Sequence, residues 1–185
     1  MTVRASARAP VPGRACGSCT LCCKTVAVAE LAKPAGVWCP HCRRSGGCAI
    51  YEARPAGCRD FNCEWLLSED LGLEWKPDRA KFALIVTAAG HLTACVDPGF
   101  PMAWRQAPYH RNLTRWAQEQ ADDPNSAWPG VDVWIGGRCI VILPDGETDL
   151  GIVAPDEAIR VDCTETDAGS VYVATKFAVA GTRPT

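Results

Sequence analysis

Nine cysteines fall between Cys16 and Cys63, whereas the remaining three, Cys95, Cys139 and Cys163, are scattered over the rest of the 185 residues. This crowding limits what the first third of the chain can fold into. From Cys16 to Cys63, Gly, Pro and Cys recur at short intervals, and no helical or strand period persists long enough to build a conventional core. Metal–thiolate bonds replace such a core in small cysteine-rich units. A disulfide framework is the competing solution, but it suits an oxidising compartment. The run MTVRASARAPVPGRA has no apolar stretch of the signal-peptide kind, and no segment reaches the length of a membrane span. The expectation is therefore a cytoplasmic protein with reduced thiols. Nine is also an odd number, and the adjacent Cys22 and Cys23 would begin a disulfide framework awkwardly.

The spacing carries the chemistry. Cys16-Gly-Ser-Cys19-Thr-Leu-Cys22-Cys23 is a C-x-x-C-x-x-C-C run, Cys39-Pro-His-Cys42 is a second C-x-x-C, and Cys48, Cys58 and Cys63 follow. Two residues between thiolates let a turn aim both sulfurs at one ion. All nine are candidate ligands. Neighbouring side chains of an extended chain point to opposite sides, so Cys22 and Cys23 are expected to serve different centres. Eight thiolates would close two zinc sites and leave one thiol spare. Zinc is favoured, with iron as the alternative: C-x2-C-x2-C is also a three-ligand run for an iron–sulfur cluster, needing a remote fourth cysteine such as Cys58 or Cys63. Copper(I) is a third, weaker option. With so many thiols at hand, His41 reads as a surface or outer-sphere residue. Arg54 and Arg59 bracket Cys58 and are candidates to donate to metal-bound sulfur, or else are solvated.

Together, Cys16 to Cys23, Trp38-Cys39-Pro40-His41-Cys42 and the stretch Gly47 to Cys63 resemble the YkgJ-type cysteine cluster family. Its CxxCxxCC signature and its downstream IYxxRPxxCRxFxC element both occur here without a gap, the latter from Ile50 to Cys63. The resemblance covers about residues 16 to 66. It implies zinc or iron chelation in a bacterial cytosolic setting and attaches no general catalytic activity.

Charge is divided unevenly. Through Cys63 the chain has nine basic against three acidic residues, and beyond it ten against eighteen. Thiolates bound to metal are anionic, so the basic residues read as compensation for the metal site rather than as a nucleic-acid footprint. The seven tryptophans are not interleaved with a dense Lys/Arg run, which also disfavours a base-stacking platform.

The organisation expected is a flexible tail over 1–15, a cysteine-rich module over 16–75 closed by a short helix in Cys63–Trp75, and an α+β region over 78–185. In the last, Phe82–Ala88 and Leu92–Val96 predict a hairpin, Ala107–Gln120 an amphipathic helix, and Val131–Ile135 with Cys139–Leu143 a second hairpin about Gly136-Gly137. Val171–Ala174 is a last strand. The fold class is α+β: a small irregular metal-binding module followed by a mainly antiparallel β region with one or two helices. Cys95, Cys139 and Cys163 read as core residues. No phosphate-binding glycine loop, nucleophile elbow, HExxH or C-x3-C-x2-C motif is present. The chain thus reads as a non-enzymatic metal-binding protein whose partners are metal ions, with a protein partner left open. An iron–sulfur protein with a redox or protein-modifying role is the alternative.

Overall fold

The computed structural model describes residues 8–43, 46–126 and 128–179 and has an α+β architecture. Ahead of the sheet, helices are single turns: α1 (Cys22–Thr25), α2 (Ala56–Arg59), α3 (Glu64–Leu67) and α4 (Pro77–Ala80). The helix expected within Cys63–Trp75 is split into α3 and a 3-10 turn at Leu73–Trp75. Trp65, Leu66, Leu71 and Trp75 are buried there in the same core as the sheet.

The sheet has five strands side by side in chain order: β1 (Phe82–Val86), β2 (Leu92–Val96), β3 (Val131–Ile135), β4 (Arg138–Leu143) and β5 (Gly146–Ile152). Both expected hairpins form, with β1 antiparallel to β2 and β3 antiparallel to β4. β2 and β3 are parallel, because the chain between them crosses over through α5 (Tyr109–Asp122), as a parallel pair requires. This helix lies two residues beyond its expected start and end. Its Leu113 and Ala117 pack on the β-sheet face that carries Phe82, Val96, Val131 and Ile142.

The opposite face is covered from two directions. Cys139, Val141 and Leu143 lie under a hairpin of β6 (Glu157–Thr166) and β7 (Gly169–Ala178), which contributes Ile159, Val161, Tyr172 and Ala174. Only part of β7 was legible in the sequence. Beyond Val161 the outer half of β6 is solvent-exposed, and Cys163 with it, so the expectation of a core Cys163 is corrected. Cys95 and Cys139 are buried as expected.

Nearer β1, the same face is covered by the cysteine module. Cys22 and Val26 pack on Ala83, Ile85 and Cys95, while Trp65 and Leu66 join the core on the other side of the sheet. The module therefore straddles the edge strand β1, which would otherwise offer a pairing edge. Lys24 pairs with the buried carboxylate of Asp97, just after β2. Gly36 (φ +80°) packs so closely that a Cβ there would meet Gly136 Cα and Pro98 Cγ at 3.1 Å. Of the segment 1–15, residues 1–7 lie outside the described residues. From Arg8 onward the chain is tied to α3: Val11 N–H donates to the Leu66 carbonyl at 2.8 Å, and Arg14 donates to the carbonyls of Trp65, Ser68, Glu69 and Leu71.

Candidate metal centre

Both C-x-x-C runs close as turns. Cys19 N–H donates to the Cys16 carbonyl at 2.9 Å, and Cys42 N–H to the Cys39 carbonyl at 3.0 Å. The second turn is fastened to the first motif by Cys39 N–H, which donates to the Cys23 carbonyl at 2.8 Å. Cys42 and Cys48 face each other as an isolated antiparallel bridge, and Cys63 caps the start of α3. His41 contributes its backbone carbonyl, which accepts from Ala49 N–H.

The premise about Cys22 and Cys23 needs correction. They lie in one helical turn, not in extended chain, so their thiols are neighbours rather than on opposite sides. The Cys22 thiol, placed to donate to Cys23, holds the latter down to about 6; burial opposes this, and the Cys42 thiol and the Lys33 charge assist. The reciprocal effect of Cys23, then burial and the charges of Cys16 and Cys19, push Cys22 well above the ordinary thiol range. Burial raises Cys63 to about 11, with Cys16 and Cys19 again adding to it. Burial also raises Cys58, where the other thiols felt are Cys23, Cys39 and Cys48. Cys42 is raised by burial and then by Cys23.

Two cations escaped notice or full reading in the sequence. Lys33 is buried, and its ammonium donates to the carbonyls of Lys24, Val26 and Pro34. Burial lowers its pKa, while the charges of Cys39, Cys23, Cys22 and Cys58 oppose the fall. Arg54 stacks on Tyr51 with its guanidinium carbon 3.7 Å from the ring centroid. Its buried Nε–H has no partner among the described residues, and its charge opposes the burial that raises Cys16. An orphaned guanidinium N–H and a buried ammonium, whose charges act on cysteine thiols of the module, suit an anionic thiolate–metal unit, which needs compensating charge. The soft donor set fits zinc, iron or an iron–sulfur cluster. Among the described residues, no group of three His, Cys, Asp or Glu side chains is close enough to hold one ion.

Away from the cysteine module, Asp132 on β3 is buried, with Thr93 on β2 and Val141 on β4 as its cross-strand neighbours. Its Oδ1 accepts from Trp128 Nε1 at 3.1 Å, and its Oδ2 is 3.4 Å from His91 Nδ1, the imidazole stacking on Trp128. Burial raises the Asp132 pKa against the pull of His91 and Trp128. A carboxyl raised on folding takes up its proton more readily in the folded state. It therefore makes stability fall as pH rises from the ordinary aspartate range through the folded value. Asp132→Asn should abolish that segment, so the stability difference, variant minus parent, rises with pH there and levels off above it. Urea unfolding from pH 4 to 7 checks this; a flat difference curve contradicts it.

No family model, curated protein or solved structure matches the chain. No helix among the described residues is long and apolar enough to cross a membrane.

Proposed function

We propose that this chain is a metal-binding protein of the YkgJ type, whose clustered cysteine thiolates hold zinc in a structural role in the cytoplasm. The observation that supports it best is Lys33, a buried ammonium that spends its donors on backbone carbonyls while four cysteines act on its charge. Such a group is costly to bury unless anions face it. The candidate ligands are Cys16, Cys19, Cys22, Cys23, Cys39, Cys42, Cys48, Cys58 and Cys63. The metal would supply folding energy to a segment that has little apolar core. An iron–sulfur protein with a redox or protein-modifying role is the second reading, favoured by the C-x2-C-x2-C run.

The test is metal and acid-labile sulfide content of protein purified without oxygen. Zinc at about two ions per chain, four thiolates to each, with no sulfide supports the structural reading. Iron with matching sulfide replaces it with the second, and absence of any bound metal overturns both.

A further inference from the structure

Cys42 and Cys48 meet in a particular register. Two hydrogen bonds flank them: Ala49 N–H donates to the His41 carbonyl at 2.8 Å, and Arg43 N–H donates to the Gly47 carbonyl at 3.0 Å. The ladder bonds thus fall on the residues either side, which makes Cys42 and Cys48 the non-hydrogen-bonded pair of their isolated antiparallel bridge. In that register the two Cα atoms lie about 4.5 Å apart and the side chains leave the same face at their closest approach. A disulfide takes Cα separations of about 4.4–6.8 Å, so the backbone already meets its requirement. The turn below the pair is tight: Gly46 N–H donates to the Arg43 carbonyl at 2.9 Å, and Gly46 and Gly47 have φ of +97° and +87°, which side chains rarely adopt. Both cysteines are free and half-buried, within reach of a small solute.

The other thiols lack this pairing. Cys22 and Cys23 are consecutive, with Cα atoms about 3.8 Å apart, below the disulfide range. Cys16 with Cys19, and Cys39 with Cys42, stand at the ends of turns, with no ladder to hold their side chains parallel. Cys95 and Cys139 are buried, and Cys163 faces Tyr172 across the β6–β7 hairpin.

From this register we infer that Cys42 and Cys48 are a redox-active pair that closes to a disulfide on two-electron oxidation by a small-molecule disulfide such as oxidised glutathione. One thiolate attacks a sulfur of the oxidant, forming a mixed disulfide and expelling one glutathione thiolate. The second cysteine thiolate attacks the protein sulfur of that mixed bond, forming the Cys42–Cys48 bond and expelling the other glutathione thiolate. The two protons given up by the cysteines pass to the two departing thiolates. The cysteine pair is oxidised by two electrons, and the glutathione disulfide is reduced to two thiols. Both cysteines are candidate ligands, and a sulfur in a disulfide is no longer a thiolate donor. Closure therefore withdraws two donors from the module and couples metal retention to redox state. That coupling rests on the metal-binding reading; the pairing of the two sulfurs does not.

The experiment treats the full chain, as purified without oxygen, with oxidised glutathione, traps remaining thiols by alkylation, and maps the first disulfide by peptide mass spectrometry. A zinc indicator dye follows released metal in parallel. The Cys42–Cys48 bond should form first, exceeding any other pair several-fold, and zinc release should rise in step with it. In concentrated urea, where the register is gone, that preference should disappear. Cys48→Ser should lose this first bond and Cys163→Ser should keep it; if Cys48→Ser folds poorly, the map of the parent chain still decides. A first bond joining Cys39 to Cys42 or Cys23 to Cys42 overturns the pair, and an equal preference in urea overturns the register as its cause. Formation of the Cys42–Cys48 bond with all zinc retained overturns the coupling. A chain that carries no metal but still closes this bond overturns the metal-binding reading and leaves the redox pair standing.

Discussion

Chelation of the proposed metal is expected to expose residues 16–63 to hydrogen exchange and proteolysis while the five-stranded sheet keeps its protection. The difference follows from what each part buries. Among the described residues from 16 to 63, only Leu21, Thr25, Val26, Lys33 and Cys63 are buried, and Lys33 is charged. That set cannot offset the entropy of ordering the segment. In the sheet, by contrast, Phe82, Ile85, Val131, Val133 and Val141 are fully enclosed. Zinc sites of the structural type contribute on the order of 10–16 kcal/mol to folding, so its removal should dominate the energetics of the module. Peptide-resolved exchange with and without chelator is the measurement. The Lys24–Asp97 pair and the Cys22–Val26 contact on β1 should loosen with the module. Protection left unchanged over 16–63 would refute a structural metal.

The second large effect is expected at Phe82. Its ring is fully buried and meets Trp75 edge-on at 5.9 Å and Tyr109 edge-on at 5.0 Å, the junction of the Leu73–Trp75 turn, β1 and α5. Phe82→Ala removes these contacts and leaves a cavity between elements that neighbouring backbone holds apart. Such truncations cost about 3–5 kcal/mol, against a total of about 5–15 kcal/mol for a typical domain. Denaturant unfolding of the metal-loaded chain should show the loss as a lower midpoint. Met102→Ala, at an exposed side chain, should stay within about 0.5 kcal/mol of the parent. A loss below about 1 kcal/mol at Phe82 would mean that this aromatic junction is not the centre of the core.

The elements that the sequence announced are those built from neighbours along the chain. The C-x-x-C turns close through hydrogen bonds spanning three residues, and the two hairpins follow from apolar runs around Ala89-Gly90 and Gly136-Gly137. The α5 helix is visible in its apolar spacing, though its ends shift by two residues because Pro108 and Asp123 set its limits. β6 was missed because its second half is polar and exposed, with no alternation to mark a buried face. Cys163 was misplaced for the same reason, since burial depends on what covers a strand.

Local chemistry in the sequence determined the cysteine spacing, the closing of both C-x-x-C turns, the two hairpins and the α+β class. Only the tertiary structure decided the parallel pairing of β2 with β3, the placing of the module astride β1, the joining of Cys22 and Cys23 in a helical turn, and the company kept by Lys33, Asp97 and Asp132. Each of these depends on groups brought together by packing: Lys24 meets Asp97, and His91 meets Asp132, across long stretches of intervening chain. Sequence periodicity reports which face of an element is apolar. It carries no record of the partner that covers that face, and a buried charge acquires its meaning from the partner.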